Sequence, residues 1–177
     1  MDFADPSGNL AQFGLTEGQF VADFGAGSGH YSFAAARAVG STGRVYAVEV
    51  QKDLLDRLKK QAREEGLGNI EIVWGDIERL GGVKIRDHLV DAVILSNVLF
   101  QIGDKQGLVQ EVSRVLKPKG RVLIIDWSDS FNNMGPSEDS IFKAPDARLL
   151  FEGNGYVFEQ NIEVGAHHYG FSVGKKG

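Results

Sequence analysis

The segment that decides the fold runs from Phe20 to Tyr31 and reads FVADFGAGSGHY. An apolar, β-forming run ends at Phe24, and glycine then occupies every second position from 25 to 29 before a helical pattern begins. Glycine adopts backbone angles that other residues avoid and lets a ligand approach the main chain closely. The helix that follows offers unpaired N–H groups to a negatively charged ligand. The segment therefore predicts a strand, a ligand-binding turn and a helix.

Strand patterns alternate with helical patterns along most of the chain. The predicted strands cover 20–24, 44–50, 69–74, 89–95 and 121–127, with a final hairpin formed by 156–164 and 168–173. The predicted helices cover 32–39, 53–66, a stretch from Leu108 that Pro118 ends, and 145–152. Strands that alternate with helices imply βαβ units and a parallel sheet. The 177 residues are predicted to form a single domain.

The composition excludes several classes of function. The net charge of −5 disfavours a nucleic-acid-binding surface, which needs clustered Lys and Arg. The chain has no cysteine, which removes disulfides, thiolate nucleophiles and cysteine-ligated metals. Its start, MDFADPSGNL, does not resemble a signal peptide, and no apolar run is long enough to span a membrane. We expect a cytoplasmic protein with no membrane span and no nucleic-acid partner.

The ligand of the glycine turn is predicted to contain an adenosine. In open α/β sheets, ligands bind beyond the carboxyl ends of the strands, and Glu49 ends the second strand, where a carboxylate accepts from ribose hydroxyls. Nicotinamide dinucleotides and S-adenosylmethionine share this geometry. His30 replaces the third glycine of the dinucleotide fingerprint, and two more acids, Asp23 and Asp76, lie beside the turn and after the third strand. These features favour S-adenosylmethionine, with Asp76 accepting from the adenine amino group while Ile77 packs on the ring.

Five segments together resemble the class I S-adenosylmethionine-dependent methyltransferases. They are VADFGAGSG, VYAVEV, GDIE, DAVILSNVLFQI and LVQEVSRVLKPKGRVLIID. The resemblance is strongest to the small-molecule group that includes quinone-ring methylases. It implies an α/β fold with a Rossmann-like, doubly wound, seven-stranded, mostly parallel sheet, an antiparallel last strand and helices on both faces.

The resemblance also implies a set of cofactor-binding residues. The glycine turn would face the methionine portion, Glu49 would hold the ribose with Val50 beside the adenine, and Ser96 and Asn97 would lie below the sulfonium. The cofactor would be S-adenosyl-L-methionine and the product S-adenosyl-L-homocysteine, with no metal. The implied residues are Asp23, Gly25, Ala26, Gly27, Ser28, Gly29, Tyr31, Glu49, Val50, Gln51, Gly75, Asp76, Ile77, Ser96, Asn97 and Val98.

The predicted reaction is in-line methyl transfer to a small organic acceptor, and a general base is needed only for a protonated acceptor. Three residues near the predicted site are candidates. His30 follows the glycine turn but could pack at the helix start, and Tyr31 could contact the cofactor carboxylate or cover the sheet. Asp126 ends the fifth strand, where it could instead cap a neighbouring loop. The catalytic residue therefore stays open.

Other residues with reactive or aromatic side chains have a simpler interpretation. His167 and His168 are adjacent in the hairpin and would point to opposite faces of a strand, so we expect surface or core packing instead of a metal site. Trp74 and Trp127 are expected to lie in the core beside the sheet, with Trp127 as an alternative wall of the acceptor pocket.

Two segments could cover the substrate. They are residues 1–19, which could form a short lid helix with Asn9 as its N-cap or a surface tail, and the polar segment 128–144. Because both are short, we expect a shallow acceptor pocket. A nicotinamide-dependent oxidoreductase and a non-catalytic module that binds the cofactor or a partner protein are the alternative functions. A homodimer is left open.

Overall fold

The computed structural model describes residues 5–132 and 134–177. Its strands are β1 (Phe20–Phe24), β2 (Arg44–Glu49), β3 (Ile70–Trp74), β4 (Val90–Ser96), β5 (Leu116–Trp127), β6 (Tyr156–Asn161) and β7 (His168–Lys175). Its helices are α1 (Pro6–Phe13), α2 (His30–Val39), α3 (Lys52–Glu64), α4 (Lys105–Val115) and α5 (Ala144–Glu152), with two short 3-10 turns, Leu99–Gln101 and Glu138–Ser140. These bounds confirm the predicted alternation of strands and helices.

The seven strands form one sheet in the order β3-β2-β1-β4-β5-β7-β6. The pairs from β3 to β5 are parallel, and β7 is antiparallel to both of its neighbours. The predicted seven-stranded sheet with an antiparallel last strand is therefore confirmed. The chain winds outward from β1 toward β3 and then returns to β4 on the other side of β1. This reversal creates a crevice at the carboxyl ends of β1 and β4, where open α/β sheets bind ligands.

Helices cover both faces of the sheet. On one face, α1 and α2 bury Leu10, Phe13 and Ala35 against Val21 and Ile125. On the other face, α4 and α5 pack side chains such as Leu108 and Phe151 against the same strands. Because both faces are covered, the central strands are apolar along nearly their whole length, as the sequence of β5 predicts.

The N-terminal helix begins earlier than the sequence predicts. Asp5 occupies its N-cap position, and the prediction of Asn9 as the N-cap is wrong, because Asn9 lies in the middle of α1 and is 2% exposed. Leu10 and Phe13 are buried in the core against α2 and the sheet. Because these two side chains are buried, α1 packs as part of the domain. Residues 1–4, which complete the predicted lid, lie outside the described residues.

Trp74 also differs from its prediction. It ends β3, which is an edge strand of the sheet, and its side chain is 53% exposed instead of lying in the core. The indole Nε1 donates to the carbonyl oxygen of Val50 at 3.1 Å, which holds the ring over the end of β2. An edge strand has a neighbour on one side only, so a side chain at its end can stay open to solvent.

Candidate active site

A cavity of about 620 Å³ opens at the carboxyl ends of the first four strands. All of the predicted cofactor-binding residues except Gly29 line this cavity. They come from the turn after β1, the end of β2, the turn after β3 and the end of β4. Residues far apart in sequence thus meet at one edge of the sheet, as the βαβ order predicts.

The glycine turn is held by the neighbouring strand. The backbone N–H groups of Gly25 and Ala26 both donate to the carbonyl oxygen of Val48, each at 2.9 Å. Gly27 has a positive φ of 56°, and the nearest heavy atom to a Cβ placed there would be the carbonyl oxygen of Gly25, at 3.9 Å. The main chain at Gly27 therefore faces open space, where a ligand can approach it.

Gly29 has a different role from the one predicted. It is buried and does not line the cavity. A Cβ at this position would come within 2.5 Å of Leu58 and 2.7 Å of Phe33. Gly29 therefore allows α2 and α3 to pack closely, and the glycine at this position is required by packing.

Glu49 is 7% exposed and its carboxylate binds three backbone N–H groups. Its Oε2 accepts from Gly27 at 3.0 Å, and its Oε1 accepts from Val50 at 2.9 Å and from Gln51 at 3.1 Å. The carboxylate thus links the glycine turn to the start of α3. It lines the cavity, where its remaining lone pairs can accept from a ligand's hydroxyl groups.

Asp23 lies beneath the glycine turn and is buried. Its Oδ2 accepts from the hydroxyl group of Ser32 at 2.6 Å, which ties the end of β1 to the first turn of α2. Burial raises the pKa of Asp23 to about 6, partly offset by the bond from Ser32. The carboxyl thus links the strand before the glycine turn to the helix after it, and it also reaches the cavity wall.

Tyr31 joins the cavity wall to the N-terminal helix. Its hydroxyl oxygen accepts from the Nδ2 of Asn9 at 2.8 Å, and both side chains are buried. Burial raises the pKa of Tyr31, while hydrogen bonds from Asn9 and with Ser96 oppose that shift. Tyr31 therefore lines the cavity as a fixed, neutral side chain.

Asn97 provides a buried acceptor without a protein partner. It follows β4 with a positive φ of 56°, and its backbone N–H donates to the carbonyl oxygen of Ile125 at 2.8 Å. Its Oδ1 is buried and has no hydrogen-bond partner among residues 5–132 and 134–177. Buried acceptors are nearly always paired, so this atom indicates a ligand that carries a donor.

The turn after β3 forms the opposite wall. Asp76 Oδ1 accepts from the backbone N–H of Glu78 at 3.0 Å, and the backbone N–H of Asp76 donates to the carbonyl oxygen of Gly82 at 3.1 Å. These bonds fix the carboxylate at the cavity, and Ile77 lies beside it, half-buried. A carboxylate next to an apolar side chain suits the amino group and the ring of an adenine.

The other two candidate bases, His30 and Asp126, differ in their surroundings. His30 is exposed at the start of α2 and lines the cavity. Asp126 is fully buried and does not line it. Its carboxylate accepts from the backbone N–H groups of Leu99 at 2.7 Å and Trp127 at 2.8 Å, and burial raises its pKa to about 6. Asp126 therefore caps the neighbouring loop, the alternative role that the sequence offered.

Some lining residues were not predicted. They are Pro6, Val48, Leu54, Glu78, Gln101 and Ile102. Glu78 and Ile102 are the last residues of the GDIE and DAVILSNVLFQI segments, which was a usable signal. Pro6 is brought to the cavity by the packing of α1, which the sequence did not show. The described part of the segment 128–144 contributes no residue to the cavity wall. Within residues 5–132 and 134–177 there is also no cluster of three or more His, Asp or Glu side chains that could hold a metal ion.

Residues 15–150 match the model of the methyltransferase domain family. The chain belongs to this family. The ubiquinone/menaquinone biosynthesis C-methyltransferase UbiE of Haemophilus ducreyi is 34% identical over 116 residues, which cover 65% of this chain and 44% of that protein. The UbiE of Klebsiella pneumoniae is 33% identical over the same length, with 45% of that protein covered. The match thus spans less than half the length of these relatives.

Solved structures agree with the family assignment. A SAM dependent methyltransferase from Aquifex aeolicus has a TM-score of 0.89 and 27% identity, covering 97% of this chain and 90% of that chain. The YcgJ protein from Bacillus subtilis has a TM-score of 0.77 at 17% identity, covering 97% of this chain and 98% of that chain, which supports the fold alone. Together these matches place the chain among the class I, S-adenosylmethionine-dependent methyltransferases. In the described residues, no helix is long and apolar enough to cross a bilayer.

Proposed function

We propose that this protein transfers the methyl group of S-adenosylmethionine to a small organic acceptor. The observation that carries the proposal is the unpaired Oδ1 of Asn97, buried in a cavity that the glycine turn and Glu49 also line. A ligand with an ammonium group near Asn97 and a ribose near Glu49 would complete the hydrogen bonding of both side chains. S-adenosylmethionine carries both groups.

Different residues of the cavity would hold different parts of the cofactor. The main chain around Gly27 and the Asn97 amide would hold the methionine portion, Glu49 the ribose hydroxyls, and Asp76 with Ile77 the adenine. When bound, the cofactor supplies a methyl group that its sulfonium makes electrophilic. The protein's task is then to orient the acceptor in line with that methyl group and to exclude water, and these effects account for much of the acceleration in such reactions.

The class of acceptor is supported by the relatives. UbiE is named for C-methylation in ubiquinone and menaquinone biosynthesis, so a compound with a quinone-type or phenolic ring is the acceptor we favour. No described residue of 128–144 lines the cavity, and the shallow acceptor pocket stays a prediction of the sequence. A cytoplasmic location stays a prediction of the sequence, which left the oligomeric state open.

Calorimetric titration and a transfer assay test the proposal. S-adenosylhomocysteine should bind with micromolar or tighter affinity, and radiolabelled methyl should pass from the cofactor to at least one member of a panel of phenols, quinols, amines and carboxylates. Binding of NAD(H) with no response to S-adenosylmethionine would instead support the oxidoreductase. Tight cofactor binding without transfer to any acceptor would support the non-catalytic module.

A further inference from the structure

The end of β5 and the β6–β7 hairpin meet at the same edge of the sheet as the cofactor cavity. Here five side chains form what we call the edge cluster: Trp127, Asp129, Phe131, His167 and His168. The backbone N–H of Ser128 donates to the carbonyl oxygen of His167 at 2.9 Å, which joins the two segments. None of these five residues lines the cavity itself.

Within the edge cluster, Asp129 orients His167. The imidazole Nδ1 lies 2.6 Å from Asp129 Oδ1, and because a carboxylate can only accept, Nδ1 carries the proton and donates. The lone pair is then on Nε2. The Phe131 ring stacks on the imidazole with centroids 4.0 Å apart. Asp129 and Phe131 thereby fix the orientation of the His167 ring, as a carboxylate does for a catalytic histidine.

The other half of the edge cluster is the pair of Trp127 and His168 rings, in which His168 has a nitrogen without a hydrogen-bond partner among the described residues. The rings of Trp127 and His168 have centroids 4.2 Å apart. His168 Nδ1 faces the carbonyl oxygen of Ala166 at 3.4 Å, so its lone pair is on Nε2, which is buried without a hydrogen-bond partner in 5–132 and 134–177. Burial lowers the pKa of His168 and keeps the ring neutral. A buried acceptor beside an indole suits an aromatic ring that carries a hydroxyl donor.

The sheet register places the edge cluster at the same end of the sheet as Asn97. Asn97 hydrogen-bonds to Ile125, and Trp127 is two residues further toward the ligand-binding edge on the same face of β5. His168 is the register partner of Trp127 on β7, two strands away from β4. Two strand spacings are about 10 Å. An aromatic acceptor with its methyl donor can therefore bridge the space between Asn97 and the two imidazoles.

We propose that the edge cluster binds the methyl acceptor, that the acceptor is an aromatic compound with a hydroxyl group, and that His167 is its general base. This inference rests on the proposed methyltransferase function. The acceptor oxygen bonds the methyl carbon as the carbon–sulfur bond breaks, and the electron pair of that bond stays on sulfur. The hydroxyl proton moves to Nε2 of His167 and is later released to water, while Asp129 stabilises the imidazolium. His30 and Asp126 are less suited, since His30 has no orienting carboxylate in the described contacts and Asp126 is committed to backbone donors.

Substitution of His167 and of its partner Asp129, which together we call the dyad, tests the role of His167. In His167→Gln, kcat for phenolic acceptors should fall on the order of 100-fold or more, since general bases contribute about that much. Asp129→Asn should reduce kcat in the same direction but less, and the dissociation constant of S-adenosylhomocysteine should stay unchanged in both. His88→Gln is the matched control, because His88 lies near Leu116 at the opposite end of β5. Wild-type kcat in both dyad variants, measured with folded protein, would overturn the assignment of the base.

Binding is tested separately from turnover. The chain has four histidines, so their imidazole signals can be assigned by NMR through single His→Gln variants. In the S-adenosylhomocysteine complex, phenol should shift the signals of His167 and His168 and leave that of His88 in place, and toluene, which lacks a hydroxyl group, should have a weaker effect. Shifts confined to His30, or no shift at all, would overturn the acceptor site. Failure of S-adenosylhomocysteine to bind would instead overturn the proposed function.

Discussion

The side chain of Asn9 donates from Nδ2 to the hydroxyl oxygen of Tyr31 at 2.8 Å, and both residues are buried. The bond joins α1 to the wall of the cofactor cavity across 22 positions of sequence. The N-terminal helix, which packs against the sheet through Leu10 and Phe13, therefore also fixes a residue of the site.

We expect Asn9→Ala to lower the free energy of unfolding by about 1–2 kcal/mol, because the buried Tyr31 hydroxyl loses the hydrogen bond from Asn9. Cofactor affinity should fall severalfold as Tyr31 becomes less fixed. A double-mutant cycle with Tyr31→Phe, measured by urea unfolding, should give a coupling energy above about 0.5 kcal/mol. Strictly additive effects would show that the bond contributes nothing.

Glu49→Gln should weaken the binding of S-adenosylhomocysteine about tenfold or more, since hydrogen bonds to a charged group are each worth about 1.5–3 kcal/mol. Glu49→Ala should also destabilise the fold, because it leaves the N–H groups of Gly27, Val50 and Gln51 without their acceptor. Calorimetry and thermal unfolding separate the two effects. Glu64→Gln, on the exposed face of α3, is the control. Equal affinity in Glu49→Gln and wild type would mean that Glu49 does not hold the ribose.

Gly29→Ala should mainly lower the stability of the fold, and Gly27→Ala should mainly lower the affinity for the cofactor. At Gly29 the added Cβ would meet Leu58 at 2.5 Å and Phe33 at 2.7 Å, so we expect a loss of unfolding free energy of about 1–3 kcal/mol, typical of overpacking. At Gly27 the nearest contact is 3.9 Å away, and the loss should be smaller while cofactor affinity falls more steeply. Thermal unfolding with and without S-adenosylhomocysteine distinguishes them. The reverse order of stabilities would contradict the packing role of Gly29.

Asp126 should make the fold sensitive to pH. Burial raises its pKa from 3.8 to about 6, so the folded state binds this proton more tightly than the unfolded state does. The stability from this group is fully present below pH 3.8 and is lost as the pH rises through 6, by about 3 kcal/mol. Relative to Asp126→Asn, wild-type unfolding free energy should therefore decrease between pH 4 and pH 7. Parallel curves for the two proteins would contradict the raised pKa, and the exposed Asp139→Asn serves as the control.

Much of the site could be predicted because each residue stands at a strand end. Glu49 ends one short apolar strand and Asp76 comes just after another. The carboxyl ends of parallel strands meet at one edge, so the position of these residues in the sequence determines their position in space. The same reasoning failed for Gly29 and for Trp74. The first depends on the packing between α2 and α3, and the second depends on which strand forms the edge of the sheet.

The alternation of strands and helices, the glycine turn and the two acids were determined by local sequence, since periodicity and backbone freedom are properties of short segments. The pairing of Asn9 with Tyr31 and of His167 with Asp129 was decided by the tertiary structure. These partners are 22 and 38 positions apart, and no local pattern specifies a contact that forms only when separate layers of the fold pack together.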